Sequence, residues 1–521
     1  MFYFNNMDIM KNFVLGGMGL IALTACNAQQ SAPQLPNIIY VFPDQLRNAA
    51  MEYCSQDEFR PYVNFQGDPT HTPRLNEFAR QSVVLSSCFS NNPVSSPHRG
   101  SLFTGMYSNK SGVPNNCQSF RPTCSLPDSA TCVSDVLYEA GYDCAYIGKL
   151  HLFYPTPNDP QHPGQYVESR VPAWDAYTEP HQRHHFDFWY SYGTFDVHKN
   201  PHYWDSEGNR HDPHEYSPKH EADKAIEYMR NEGGKLRDSS KPFFMMISMN
   251  PPHSPYQSTK DCMEEDYNLY KDTPLDSLLV RPNVDFSMDK TKSAPYYFAN
   301  VTGVDREFGR ILDALKELGL DKNTIVIFTS DHGETMCSQG VKDPKNSPYA
   351  ESVNVPFMIR YPDHLKPRVD NLMLSTPDIY PTLLGLVGLK HMIPGHLHGR
   401  DLSDIFFNPE TTTVERPESA LYFQNSDGRK GEDGLFYDFY PNARGLKTDR
   451  YTIAFYLDKK TGKLRESLFF DDVEDPYQQR NIPLDEKPEV VKELCQKLGQ
   501  ELKRIDDRWY QDKLLPELIT Y

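Results

Sequence analysis

Short apolar runs that alternate with helical stretches constrain the fold of this chain more than any other feature. Three of these runs read as buried strands, at 37–42, 243–248 and 324–328. Between the last two, apolar residues recur at helical spacing over 304–318, and Gly319 closes the predicted helix. Strands that alternate with helices predict an α/β fold, with one large, mostly parallel sheet sandwiched by helices.

The pattern changes after a linker at 408–417. Four short strands and then a helix, with apolar positions between 491 and 505, are predicted beyond it. We therefore expect a large domain at 37–407 and a C-terminal subdomain at 418–521, the latter a smaller antiparallel sheet plus a helix. A chain of 521 residues is long enough for both.

The first residues are typical of a targeting signal. Lys11 precedes an apolar run of about twelve residues, which is too short to span a bilayer. The run ends in LTAC, which resembles a bacterial lipobox and implies a lipid on the thiol of Cys26. We expect a lipoprotein signal peptide at 1–25, a tether at 26–36, and a location in the bacterial cell envelope, periplasmic or at the cell surface. The lipid would be the only contact with the membrane. An ordinary secretory signal with an incidental cysteine is the alternative.

Composition argues against some classes of function. The net charge of −18 argues against a nucleic-acid partner, because phosphate binding needs clustered Lys and Arg. An anionic small substrate remains compatible, since a few buried cations can focus positive potential in a pocket. The cysteines other than Cys26 lack a CxxC pair, which argues against a zinc site. Cys117, Cys124 and Cys132 are close enough for a loop disulfide, and buried free thiols are the alternative.

Polar clusters follow several of the predicted strands. They are Asp44-Gln45, Ser95 to Gly105, Gly148 to His151, Asn250 to Tyr256, and Ser330 to Glu334. Because sites in such sheets lie at the carboxyl ends of the strands, we expect these clusters to converge. Pro97 suits the first turn of a helix, which would place Ser95 at a helix N-terminus that attracts an anion.

The segment Ser95-x-Pro97-x-Arg99-x-x-Leu102-x-Thr104-Gly105 resembles the signature of the sulfatases, in which a cysteine or serine is oxidised to formylglycine. Further segments match landmarks of that family: Lys149-x-His151, Asp331 to Glu334, Lys345 to Tyr349, Arg360 to Pro362, Asp378 to Thr382, Gly399-Arg400 and Asp475 to Tyr477. The similarity runs from about residue 37 to about residue 481. It implies an alkaline-phosphatase-like fold and a sulfuric ester hydrolase, with 37–407 as its catalytic domain.

The chain departs from the family pattern at two positions. Gln45 stands where the family commonly has the second aspartate of a pair, and it offers a carbonyl oxygen with one less negative charge. Ser95 stands where many members have cysteine. The resemblance then implies a radical-type, formylglycine-generating maturase as a partner that converts Ser95 to 3-oxoalanine.

The resemblance also implies the roles of the site residues. A single Ca²⁺ ion, or Mg²⁺, would be held by Asp44, Gln45, Ser95, Asp331 and His332, since oxygen ligands favour hard cations. The hydrated aldehyde of residue 95 would attack sulfur. Arg99 would hold the hydrate and the metal ligands, and Lys149 and Lys345 would neutralise sulfate oxygens. His253 would protonate the leaving alcohol, and His151 would take the proton when sulfate is expelled.

The substrate is less constrained than the reaction. By analogy we expect exo-acting removal of O-sulfate from a sulfated carbohydrate, of host or algal origin. An aromatic and basic stretch at 183–204 is compatible with a sugar pocket, and equally with solvated or core residues. Two alternatives stay open: a phosphodiesterase or phosphonate monoester hydrolase of the same superfamily, and a glycan-binding lipoprotein that has lost its maturation.

Overall fold

This computed structural model describes residues 35–155 and 172–514. The predicted signal peptide at 1–25, Cys26 and most of the tether lie outside the described residues, so these remain predictions. No helix within the described ranges combines the length and the apolar character needed to cross a membrane.

The predicted large α/β sheet is confirmed. Within the described residues the strands of this sheet are β1 (Asn37–Val41), β2 (Val83–Phe89), β3 (Asp143–Lys149), β4 (Phe186–Tyr192), β5 (Tyr203–Asp205), β6 (Arg210–His211), β7 (Phe243–Ser248), β8 (Thr324–Phe328), β9 (Asn354–Arg360) and β10 (Arg368–Ser375). Their order across the sheet is β10-β2-β9-β8-β1-β7-β3-β4-β5-β6. The central strands β8, β1, β7, β3 and β4 are parallel, whereas β9 is antiparallel to β8 and β2.

Both faces of the sheet are buried, because successive residues of a strand point to opposite faces. In β1, Ile38 and Tyr40 belong to one apolar core, and Ile39 and Val41 belong to the other. The described helices are α1 (Pro73–Arg80), α2 (Ser95–Thr104), α3 (Val133–Glu139), α4 (Ser217–Arg230), α5 (Glu264–Tyr267), α6 (Leu275–Leu278), α7 (Ala294–Glu317), α8 (Ala350–Val353), α9 (Ile379–Leu386), α10 (Ser403–Phe407), α11 (Pro488–Arg504) and α12 (Arg508–Gln511).

Helix α7 corresponds to the predicted helix at 304–318, but it begins earlier, at Ala294. The earlier start follows from further apolar residues, including Tyr297 and Val301, which are buried against the same face of the sheet. The helix gives way to a turn at Gly319, whose φ is 67°. Left-handed backbone of this kind is typical of a glycine that ends a helix.

A second, antiparallel sheet confirms the architecture predicted for the C-terminal part. It consists of β11 (Ser419–Asp427), β12 (Phe439–Thr448), β13 (Tyr451–Leu457) and β14 (Leu464–Asp471), in that order. Helix α11 packs on one face through Leu494, Leu498 and Leu502. The other face, through Tyr422, meets Phe89 at the end of β2. The sequence boundaries at 407 and 418 stay predictions, since the described residues from Leu35 onward form one compact unit.

The described cysteines are all buried with free thiols, which is the second of the two alternatives left open by the sequence. Burial raises the pKa of the Cys132 thiol well above its usual range. Cys132 precedes α3 and forms a capping box with Asp135, which explains why these two side chains lie together with His184.

Candidate active site

The polar clusters follow strands that are neighbours in the sheet. Asp331 follows β8, Asp44 follows β1, Asn250 follows β7, and Lys149 ends β3. Because β8, β1, β7 and β3 are adjacent and parallel, their carboxyl ends meet at one edge. The topology therefore brings together side chains that are far apart in sequence.

Ser95 is the first residue of α2 and is only 1% exposed. Its Oγ lies 3.4 Å from Oδ1 of Asp44 and 3.2 Å from Nε2 of His332. The helix that carries it ends at Thr104, followed by Gly105 with a φ of 65°. The serine is thus held at a helix N-terminus, between a carboxylate and an imidazole.

Asp44, Asp331 and His332 form a buried cluster whose donor atoms all lie within 4.8 Å of one another. Arg99 reaches into it from α2, with Nη2 at 3.1 Å from a carboxylate oxygen of each aspartate. Nη1 of the same guanidinium donates to the carbonyl of Lys149 at 2.8 Å. Arg99 is therefore fixed by both sides of the cluster.

The charge state of this cluster fits a hard divalent cation. Burial, together with the neighbouring Asp44 carboxylate, raises the pKa of Asp331 to about 7. Burial would also raise the pKa of Asp44, but Lys149 and its other cationic neighbours hold it well below its usual range. Burial and Lys345 keep the pKa of His332 well below its usual range, so its ring is neutral and able to ligate a metal. The two neighbouring carboxylates repel each other, and a cation bound by them and by the neutral imidazole would reduce this repulsion.

Gln45 lies against this cluster with a left-handed backbone, at a φ of 64°. Its backbone N–H donates to Asp331 at 3.0 Å, and its Oε1 accepts from Nζ of Lys345 at 3.0 Å. The side-chain amide donates through Nε2 to Glu334, which is buried and paired with Lys290. The carboxylate of Glu334 therefore orients the amide so that its oxygen faces the cationic side of the site.

Two lysines supply positive charge beside the cluster. Lys149 Nζ lies 2.9 Å from Oδ2 of Asp44 and donates to Oδ1 of Asn250 at 3.1 Å. Lys345 lies in the loop after β8, and burial lowers its pKa. Both ammonium groups are close enough to Ser95's partners to meet an anion bound there.

His253 is held at both ring nitrogens. Nδ1 lies 2.8 Å from the carbonyl of Ser254, and Nε2 lies 2.9 Å from Nζ of Lys345. Burial, followed by Lys345 and Lys149, lowers the pKa of His253. Since Lys345 is a donor only, Nε2 of His253 is the acceptor and the resting ring is neutral.

The ring of His151 contacts the backbone at Cys117. Its Nε2 lies 3.1 Å from the carbonyl of Cys117, and its buried Nδ1 has no hydrogen-bond partner among the described residues. Burial and Lys149 hold its pKa well below the usual range. The described contacts do not link His151 directly to Ser95, so its predicted role as a proton acceptor stays a prediction.

Three residues at the site had no role in the sequence-based prediction. Ser248 accepts from Arg99 at 2.7 Å, and Asn250 accepts from Lys149. Ser248 is the last residue of β7 and Asn250 follows it closely, so the strand end was a sequence signal for both. Asp196, whose Oδ1 lies 3.4 Å from Nδ1 of His253, belongs to no strand-end motif, and only the tertiary contact identifies it.

Comparison with known proteins gives the family. Residues 36–389 match the sulfatase model, and residues 342–507 match the C-terminal model of N-sulphoglucosamine sulphohydrolase. The chain is 61% identical over 510 residues to an endo-4-O-sulfatase of Bacteroides thetaiotaomicron, covering 97% of this chain and 100% of that relative. It is 33% identical to an ulvan-active sulfatase of Formosa agariphila, over 92% of this chain and 84% of the relative.

A solved structure agrees with this result. A protein described in work on glycosaminoglycan metabolism by Bacteroides thetaiotaomicron superposes with a TM-score of 0.92 at 61% identity, covering 94% of this chain and 100% of that one. The chain therefore belongs to the sulfatase family. It is a bacterial sulfuric ester hydrolase with the alkaline-phosphatase-like fold, as the signature at Ser95 predicts.

Proposed function

We propose that this sulfatase removes 4-O-sulfate groups from within a sulfated carbohydrate chain. The observation that carries the hydrolysis of the sulfate ester is the position of Ser95, enclosed by Asp44 and His332 and flanked by buried cations. The printed name of the relative that is 61% identical supports the 4-O position and the endo mode. The exo mode expected from the sequence rests on analogy alone, and we therefore favour endo action.

We further propose that Asp44, Gln45, Asp331, His332 and residue 95 hold one Ca²⁺ ion, with Mg²⁺ as the alternative. A bound divalent cation would absorb negative charge of the sulfate ester and orient the nucleophile. A maturase would oxidise the hydroxymethyl group of Ser95 to an aldehyde, formylglycine. Addition of water to that aldehyde would give a geminal diol, and one of its two hydroxyls would be the nucleophile. The crowding of two buried carboxylates supports the cation site.

The protein's own side chains then bind the anion and move protons. Arg99 keeps the two aspartates in place, and Lys149 and Lys345 face the sulfate oxygens, each lowering the barrier by about 2–4 kcal/mol. When a sulfate oxygen accepts the hydrogen bond from the ammonium of Lys345, Nε2 of His253 loses this donor and becomes free. That nitrogen can then take up a proton from solvent, which gives an imidazolium, and pass this proton to the leaving alcohol. His151 would accept the proton released when sulfate departs.

The test uses protein co-expressed with a serine-type maturase. Intact-mass analysis should show the loss of a pair of hydrogen atoms from wild type and no such loss in Ser95→Ala. The substrates are oligosaccharides with one sulfate at a defined hydroxyl, either internal or terminal. We expect that only the oxidised protein removes internal 4-O-sulfate, and that the unoxidised protein does not. Full activity of unoxidised wild type, exclusive use of terminal sulfate, or faster cleavage of phosphodiesters and phosphonate esters would each contradict the proposal.

We also propose that the mature chain is anchored in the cell envelope through a lipid on Cys26. The apolar run before Cys26 and its resemblance to a lipobox support this. Labelling of growing cells with a clickable fatty acid should mark wild type and leave Cys26→Ser unmarked. Equal labelling of both proteins, or none of wild type, would contradict the anchor. Protease treatment of intact cells would then separate the cell surface from the periplasm.

A further inference from the structure

Asp196 lies beside the imidazole of His253, at the ring edge opposite Lys345. Its Oδ1 is 3.4 Å from Nδ1, whereas the lysine contacts Nε2 at 2.9 Å. Asp196 stands in the segment between β4 and β5, and the amide of Asn250 donates to the same oxygen at 3.4 Å. The imidazole is thus placed between a carboxylate and an ammonium group.

The carboxylate of Asp196 is ionised and has one basic partner. Burial would raise its pKa, but His253 and Lys149 hold it well below the usual range. Among the ion pairs of the described residues, His253 is the only basic side chain within pairing distance of Asp196. The ion pair of Asp196 is therefore with an imidazole, and no lysine or arginine of the described residues lies within pairing distance of this carboxylate.

The surroundings of His253 work against the protonated ring. Burial lowers its pKa most, followed by Lys345 and Lys149, and the two carboxylates of Asp196 and Asp44 oppose this effect. Of these carboxylates, Asp196 is the one that lies within pairing distance of the ring. The carbonyl of Ser254 accepts from Nδ1 at 2.8 Å, and the carboxylate of Asp196 places negative charge 3.4 Å from the same nitrogen. Together they keep a proton on Nδ1 and leave Nε2 for chemistry.

We propose that Asp196 is a positioning residue, which holds His253 so that its Nε2 can protonate the departing sugar alcohol. This inference rests on the proposed function, in which His253 is the acid. As the S–O bond breaks, its electron pair stays on the sugar oxygen, and the Nε2 proton moves to that oxygen. The ring ends neutral with its Nδ1 proton in place. Asp196 stays ionised throughout and stabilises the imidazolium that forms beforehand.

A double-mutant cycle tests the proposal on one sulfated oligosaccharide. Asp196→Asn should lower kcat about 10–100-fold with little change in KM, since general-acid catalysis contributes factors of this size and above. In a His253→Ala background the same substitution should have almost no further effect, because its action passes through the imidazole. Asp196→Glu should recover part of kcat. Asp212→Asn, a change at an exposed carboxylate that pairs with Arg210, should leave kcat unchanged.

The pH profile separates positioning from a structural role. Loss of the carboxylate lowers the pKa of the imidazolium, so the alkaline limb of kcat should move to lower pH in Asp196→Asn. An aryl sulfate, whose leaving group departs without a proton, should show a much smaller loss. Additive effects in the cycle, an unmoved alkaline limb, or a rise in KM alone would overturn the inference. A wild type without any sulfate esterase activity would instead overturn the proposed function.

Discussion

The ammonium of Lys149 lies 2.9 Å from Oδ2 of Asp44, and both side chains are buried. The same carboxylate oxygen is 3.1 Å from Arg99, and the other oxygen faces the hydroxyl of Ser95 at 3.4 Å. Asp44 therefore connects the cationic side of the site to the nucleophile position. In such a buried network each charge is compensated by its neighbours, so the loss of one member is costly.

Removal of the proposed cation should destabilise the protein, because the two aspartates of the cluster would lose their ligand. A ligand that binds only the folded state adds about 2.7 kcal/mol when its free concentration is 100 times Kd. Chelation should therefore lower the Tm of wild type, and added Ca²⁺ should restore it. Asp331→Asn should respond to Ca²⁺ much less, while Asp289→Asn, at an exposed position, should respond like wild type. Calorimetry with equal shifts in all three proteins would contradict the site.

Lys149→Met should remove one of the positive charges that stabilise the buried carboxylate of Asp44. We expect the free energy of unfolding at neutral pH to fall by about 3 kcal/mol, as for other broken buried pairs. Since the pKa of Asp44 is depressed in the folded state, the stability it contributes is present above 3.8 and is lost as pH falls through the folded value. The deficit of the variant should therefore shrink in acid.

Urea unfolding of Lys149→Met and wild type across pH measures this deficit. Lys292→Met is the matched control, because Lys292 forms an exposed ion pair with Asp289. Its effect should stay below about 0.5 kcal/mol at any pH. A deficit for Lys149→Met that is constant with pH would show that packing, and not charge, is what the substitution removes.

Gly148→Ala should disturb the strand that presents Lys149. Gly148 has a φ of 95°, and an added Cβ would lie 2.2 Å from the carbonyl oxygen of Ser248 in β7. Gly141 has a similar φ of 93° but open space around the missing Cβ. Gly141→Ala should cost only the backbone strain, about 1–2 kcal/mol. Gly148→Ala should cost more and also reduce sulfatase activity; equal losses of stability in urea would contradict the contact.

Glu221 should make stability depend on pH. It is buried, Tyr203 donates to its Oε1 at 2.9 Å, and its Oε2 has no partner among the described residues. Burial raises its pKa well above 4.5 in the folded state. The stability it contributes is complete below 4.5 and is lost as pH rises towards the folded value, by about 1.4 kcal/mol per pH unit.

Glu221→Gln should abolish this loss, because the amide has no proton to release. Compared with wild type, the variant should gain stability progressively as pH rises above 4.5. Glu227→Gln, at a carboxylate that is 55% exposed, should show no such trend. Unfolding by urea at a series of pH values measures the free energy of unfolding of both proteins. The same pH dependence for Glu221→Gln and wild type would contradict the prediction.

The strands that local patterns located best are the ones buried on both faces. The run predicted at 324–328 is β8, and the run at 243–248 is β7. Strand β9, antiparallel between β8 and β2, is not among the predicted strands, because Pro356 lies within its apolar run and proline is unfavourable in the middle of a strand. The strand that the sequence predicts at 421–424 is the centre of β11, which extends over Ser419–Asp427, since half-buried residues at a strand end carry a weak pattern.

The sequence alone determined the family, through the spacing of Ser95, Arg99 and their neighbours along one helix, and it determined the α/β architecture, through the periodicity of buried residues. Tertiary structure decided which polar groups meet. Arg99 and Asp331 are 232 residues apart, yet a carboxylate oxygen lies 3.1 Å from the guanidinium. Asp196 reaches His253 in the same way. Periodicity reports only what a segment buries, whereas contacts between segments depend on the order of the strands in the sheet.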